Sequence, residues 1–292
     1  LNSESSELKA LVQKVTDLPT LPAMMATITR LMQDPRTSAE ELGRAISTDP
    51  SLVSKVLKLV NSAFYGFPGR ISTITQAIVI LGFSTIRNVV LTTSVLKTFG
   101  KNGTGGVDVG RFWEHSLLTG AIARALAMER EAHFIEETFI AGLLHDMGRI
   151  VLSQKLPEEF AKVEEAKREG LPQLEAEQRV LKLTHGDIGG WLARKWNLPM
   201  PFAEVMRLHH FPTRIQESDS AGQPDTMNLV YMVHAADALA HGFRDGALQA
   251  GSLEAIDPKV SADLKLEGAG WDRFRAKAEA EIGKARSFLE IL

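Results

Sequence analysis

Apolar residues recur every three or four positions along nearly the whole chain, and nowhere do they alternate one by one as a half-buried strand requires. That periodicity confines the chain to packed helices. "LPAMMATITRLMQDP" shows it first: Leu21, Met24, Met25, Ile28, Leu31 and Met32 share a face, Pro22 suits a first turn, and Asp34-Pro35 ends the pattern. Ser38 and Glu41 stand in capping-box spacing, and Asp49-Pro50 announces a helix over "SLVSKVLKLVN". Ser84 is expected to cap "STIRNVVLTTSVLKTF", with Gly100 as its stop. Residues 100–110, "GKNGTGGVDVG", hold five glycines without periodicity and mark the clearest flexible connection. Helical patterns resume beyond it, among them "FIEETFIAGLLHDMG", "LPQLEAEQRVLKLTH", "DIGGWLARKWN", "PMPFAEVMRLHH" and "MNLVYMVHAADALAHG". "QESDSAGQPDT", residues 216–226, reads as an exposed loop. The expectation is an all-α protein, with a helical bundle over residues 1–100 and a second helical region over 105–292.

Composition narrows the function classes. With 292 residues, 44% of them hydrophobic, the chain can bury a sizeable core. It has no cysteine, which excludes disulfides and thiolate metal sites and fits a cytoplasmic protein. No signal segment opens it, no uninterrupted apolar stretch is long enough to span a bilayer, and no membrane association is expected. The first residue is Leu1, as when a numbering begins inside a longer protein. Net charge is −3, which argues against a general nucleic-acid coat.

The chemistry-bearing residues are histidines. All eight lie after residue 114, and His115, His145, His185, His209 and His210 sit where facing helices can converge, with Asp146 and Asp237 as carboxylates. Mn²⁺ and Fe²⁺ take mixed imidazole and carboxylate shells, and helical bundles build such sites from facing helices. The "HD" pair ends the apolar run "AGLLHDMGRIV", and an aspartate there needs a partner, whether a side chain or a metal ion. Spacing alone leaves both answers open, including a polar core satisfied by its own hydrogen bonds. His234 and His241 share the helix face of Asp237 and suit supporting or structural roles, and His133 reads as surface.

"LPTLPAMMATITRLMQDP", "ISTDPSLVSKVLKLVNSAFYG", "ISTITQAIVILGFSTIRNVVL", "FIAGLLHDMGRIVL" and "THGDIGGWLARKWNLP" together resemble the HDOD family, a branch of the HD metal-dependent phosphohydrolase superfamily, over about residues 15–240. The resemblance implies an HD-domain-like helical core after the N-terminal bundle, and a bacterial signalling or regulatory role. Related HD-GYP phosphodiesterases, which hydrolyse cyclic di-GMP, carry a di-metal site. Carried onto this sequence, His115, His145 and Asp237 would hold one divalent ion (Fe, Mn or similar), and His185, His209 and His210 the other, with Asp146 bridging. Arg149 stands where that motif has a lysine, suggesting contact with phosphate. If the chain is an enzyme, the resemblance makes it a metal-dependent phosphohydrolase acting on a nucleotide or cyclic dinucleotide, with Asp146 and Arg149 as its catalytic residues. Two departures weigh against that activity: "FPTRIQ" follows the HH pair where the relatives have their GYP loop, and Arg111 stands where some have an additional glutamate. The expected partner is a nucleotide ligand or a signalling protein.

Two further stretches carry alternatives. Residues 38–61 are spaced like a helix-turn-helix, with Lys55 and Lys58 on the second helix, but so much of that helix is apolar that a core-forming hairpin is favoured and nucleic acid is not the expected partner. In "NSAFYGFPGRIST", Phe64, Tyr65 and Phe67 offer faces for a base and Arg70 a phosphate contact. The favoured role is sealing a helix join. No P-loop, dinucleotide fingerprint or nucleophile elbow is present.

Overall fold

The structure is a computed structural model that describes residues 26–28, 30–31, 34, 36–99 and 106–291. The expected first helix and the glycine connection fall largely outside the described residues. The helices are α1 (Ala39–Ile46), α2 (Pro50–Val60), α3 (Ile74–Phe99), α4 (Val109–Glu129), α5 (Ile135–Leu144), α6 (Met147–Lys155), α7 (Pro157–Arg168), α8 (Gln173–Leu181), α9 (His185–Lys195), α10 (Met200–Leu208), α11 (Pro224–His241), α12 (Pro258–Leu264) and α13 (Ala269–Ile291). The all-α expectation holds, with one exception. Phe243–Arg244 pairs antiparallel with Ala247–Leu248, and both turn residues, Asp245 and Gly246, have positive φ (52° and 81°), as a tight hairpin demands.

The described chain falls into two compact units that alternate along the sequence. One includes residues 106–112 and 144–230, the other 36–99, 113–143 and 231–291. In the second unit, α1 and α2 pack against α3. Their ends follow the expected chemistry: the Ser38 hydroxyl accepts the Glu41 N–H, and the Asp49 carboxylate accepts the Leu52 N–H with Pro50 behind it. α3 breaks at Gly82 (φ 84°, ψ 163°), two residues before the expected cap at Ser84. By length and apolar composition α3 is the one membrane-span candidate among the described residues, but half of its most apolar stretch is buried within the protein. Phe64 is buried, 4.6 Å from the Phe139 ring and beneath the Arg124 guanidinium, so it seals a join as favoured. Arg124 in turn pairs with Glu136 and with buried Glu281 of α13.

In the first unit, α9 packs against α10 and α6, and α7 against α8. Glycines set how closely these helices approach. A Cβ on Gly186 would stand 3.0 Å from the Arg207 carbonyl oxygen, and one on Gly189 would stand 3.2 Å from Met206. The contact of α6 with α9 is closer still. A Cβ on Gly148 would fall 1.9 Å from the His185 carbonyl oxygen, so only glycine permits the approach.

Candidate metal centre

The run "AGLLHDMGRIV" does not continue as one helix: α5 stops at Leu144, α6 starts at Met147, and His145 and Asp146 form the corner. The corner answers how a charged residue can end an apolar run. Asp146 occupies the N-cap position of α6, where a helix N-terminus favours negative charge. His145 and Asp146 are both buried. Arg149, one turn along, donates from Nη1 to Asp146 Oδ2 at 3.0 Å.

α8 closes with Lys182 in the left-handed conformation (φ 58°), and the chain turns into Thr184. Thr184 and Asp187 form a complete capping box that starts α9 at His185, two residues earlier than the expected helix. His185 therefore lies in a first turn, where backbone N–H groups lack helical partners. Buried Glu177 accepts that N–H at 2.9 Å and holds the imidazole Nδ1 at 2.8 Å with the same carboxylate. His209 caps the end of α10 and His210 follows outside the helix, which lets two adjacent residues bring their rings together at 4.1 Å. His209 Nδ1 faces the carbonyls of Met206 and Val205 at 3.1 and 3.2 Å, which leaves Nε2 as the nitrogen turned into the cluster.

These contacts gather Asp146, His185, His209 and His210, with one ligand atom from each within 4.8 Å of the others. Around His185 Nε2 stand His210 Nε2 at 3.0 Å, Asp146 Oδ1 at 3.1 Å and His209 Nε2 at 3.3 Å. His145 Nε2 lies 3.9 Å from the same Asp146 oxygen. An imidazole nitrogen has one hydrogen-bonding position, and one proton cannot serve three atoms at that range. Ligands about 2.1 Å from a shared ion stand about 3.0 Å apart at right angles and about 4.2 Å apart when opposed. The donor set and its spacing fit a divalent cation, and the Glu177–His185 pair is the carboxylate–imidazole support that metal-binding histidines employ.

The electrostatics describe the cluster without an ion. Burial works against the His185 imidazolium, but the Glu177 and Asp146 carboxylates outweigh it and push its pKa up to about 10. Burial likewise opposes the Asp146 carboxylate, yet Arg149, His145 and His185 hold it well below its ordinary range. Burial pushes His209 down, toward the neutral form that binds metals. Arg149 Nε is buried and meets no hydrogen-bond partner among the described residues, a donor suited to an anionic ligand.

The other two expected ligands belong to the second unit. There, His115 Nε2 lies 3.0 Å from Asp237 Oδ1, and His241 Nδ1 stands 3.2 Å from the same oxygen and 3.0 Å from the Asp237 carbonyl oxygen. The three form a second group with metal-ligand spacing. Glu177 was not anticipated from the sequence, although a carboxylate four residues before Leu181 on the buried stripe of α8 is its signal.

Comparison with known proteins places these features. The HDOD domain model matches residues 18–212. A Treponema pallidum (strain Nichols) protein of uncharacterised function is 28% identical over 213 residues, 72% of this chain and 41% of that relative, so the chain spans about two fifths of the length of the curated relative it matches. A solved structure from Shewanella amazonensis SB2B, named as a candidate phosphohydrolase, superposes with TM-score 0.72 and 23% identity, covering 94% of this chain and 97% of that one. A Geobacter sulfurreducens HDOD domain protein of unknown function superposes with TM-score 0.67 and 24% identity, covering 98% and 96%. At these identities the solved structures show a shared HD-type helical fold.

Proposed function

The chain belongs to the HDOD domain family, and we propose that it is a bacterial signalling module, acting in the cytoplasm, whose His/Asp cluster holds divalent metal. The observation that carries the proposal is the convergence of three polar atoms within 3.3 Å of His185 Nε2, an arrangement a cation satisfies and a single proton does not. Asp146, His145, His185, His209 and His210 are the proposed ligands in one unit. His115 and Asp237 join them as proposed ligands in the other, on the strength of the family resemblance.

A second reading, hydrolysis of a phosphate ester, is favoured by Arg149. Its Nη1 fixes the Asp146 carboxylate, and its buried Nε, which has no hydrogen-bond partner among the described residues, is a donor an anion could use. A bound divalent ion would supply Lewis acidity toward a phosphate oxygen. The residues themselves would bind and orient: Glu177 holds the His185 ring, and Arg149 neutralises charge. The proposed ligand for either role is a nucleotide; a signalling protein would read its occupancy.

Elemental analysis of purified protein beside Asp146→Ala tests the metal. Near-stoichiometric Mn or Fe in the wild type, lost in the variant, is the expected result. A wild type that stays empty after anaerobic reconstitution with Mn²⁺ and with Fe²⁺ sinks the proposal. Incubation of the loaded protein with cyclic dinucleotides and simple phosphodiesters then separates the readings, since only the enzyme yields product that Asp146→Ala abolishes.

A further inference from the structure

We infer that an open cleft beside α2 is a binding site for a phosphate-bearing ligand. The cleft has a volume of about 770 Å³, and its lining residues fall within 54–61 and 68–72, all in the second unit. Two rows of polar side chains face it. On α2 the buried stripe of Leu52, Val56, Leu59 and Val60 leaves Ser54, Lys58 and Asn61 outward, spaced by four and then three residues. Across the cleft the chain at 70–72 lies outside any helix, with Ile71 buried and Arg70 and Ser72 exposed, as an extended backbone alternates.

Asn61 fixes one row to the other. Its Nδ2 donates to the Leu57 and Ile71 carbonyls, both at 2.7 Å, and its Oδ1 accepts the Ile71 N–H at 2.8 Å. Lys58 is one turn before this clamp and Arg70 is one residue from its far end, so both cations project from backbone held in a common frame. Among the described residues no carboxylate lines the cleft, and none pairs with Lys58 or Arg70. An ammonium, a guanidinium and the hydroxyls of Ser54 and Ser72 form a donor set without an acceptor charge. Such a set suits an oxyanion with several acceptor oxygens, and the guanidinium fork matches phosphate in particular.

The test is calorimetric titration of the full chain and of its Lys58→Gln/Arg70→Gln variant, both in excess EDTA so that no metal centre contributes. Pyrophosphate, AMP and a short DNA duplex are the probes, each at two salt concentrations, with an oligoglutamate peptide as the polyanion without phosphate. The expected result is binding of pyrophosphate and AMP by the wild type, weakened at least about tenfold in the variant with unchanged melting, because two charge-assisted contacts are lost. AMP binding more tightly than the duplex identifies a soluble nucleotide as the source of the phosphate. The duplex binding more tightly, with a log–log salt slope near −2, identifies a nucleic-acid backbone. Both keep the phosphate chemistry. Equal binding by variant and wild type overturns the inference, as does a wild type that binds none of the probes, or one that binds an oligoglutamate peptide as tightly as pyrophosphate. EDTA separates this outcome from the fate of the metal proposal.

Discussion

Replacing Gly148 with alanine puts a methyl group where α6 meets the start of α9. The new Cβ would lie 1.9 Å from the His185 carbonyl oxygen, 2.8 Å from its carbon and 3.0 Å from the Gly189 nitrogen. All three are backbone atoms, so no side chain can swing aside, and relief to about 3.2 Å requires the helices to part by roughly 1.3 Å. Alanine's better helix propensity returns at most about 1 kcal/mol, against an overpacking cost of about 1–3 kcal/mol or more. We expect a net loss of about 2 kcal/mol in urea unfolding. The greater effect falls on the cluster, because His185 rides on the displaced backbone. Metal–ligand distances tolerate about 0.2 Å, so a displacement of this size should remove bound Mn²⁺ as completely as Asp146→Ala does. Gly283 of α13 is the matched control. Beyond its own helix backbone and chain neighbours, no atom of the described residues lies within 4 Å of its Cβ position, and Gly283→Ala should stabilise by about 0.5–1 kcal/mol without changing metal content. A Gly148→Ala protein with wild-type stability and full metal loading would refute the reasoning.

Three further outcomes are expected. Glu177→Gln keeps a hydrogen-bonding group beside His185 but removes the charge, and should weaken Mn²⁺ binding by about 10- to 100-fold, measured by competition with a chelating dye. The metal-free His185, with its pKa pushed up to about 10, carries a proton at neutral pH that an ion must displace; each ion taken up should release about one proton into weak buffer, and apparent affinity should rise between about pH 6 and 8. Asp49→Ala should cost about 1 kcal/mol by uncapping α2. The Leu52 N–H, then Lys97, hold the Asp49 carboxyl below its ordinary value, so this contribution is present above the unfolded pKa of about 3.9, fades as pH falls through the folded value, and leaves variant and wild type equally stable in acid.

Helical periodicity and local caps made most of the fold legible, because a cap is written in residues three apart. Ser38 and Asp49 show this directly. The breaks were harder to read. Asp245-Gly246 signals a hairpin only when alternating strands flank it, and strands of two residues are too short to show alternation. Leu143, Leu144, Met147, Ile150 and Val151 keep helical spacing on either side of His145-Asp146, so periodicity cannot reveal that the helix stops there. Gly82 is one glycine among many, and only its φ marks it. Asp146, His185, His209 and His210, which lie together in the structure, could be named in advance from their residue types and the family resemblance. Glu177 could not, since its role depends on α8 delivering a carboxylate to the first turn of α9, a relation between helices that no local pattern encodes.

The five proposed ligands of the first unit follow one another in the chain, and His145 to His210 spans 66 residues. Loop-closure entropy grows only with the logarithm of length. Closing the 39-residue step from Asp146 to His185 costs about 0.4 kcal/mol more than the 24-residue step from His185 to His209. The contacts that Glu177 and Gly148 make with His185 are local in this sense too. During synthesis the cluster residues can therefore come together once α10 has cleared the ribosome, before α11 has emerged, so the proposed cation can be taken up before folding is complete.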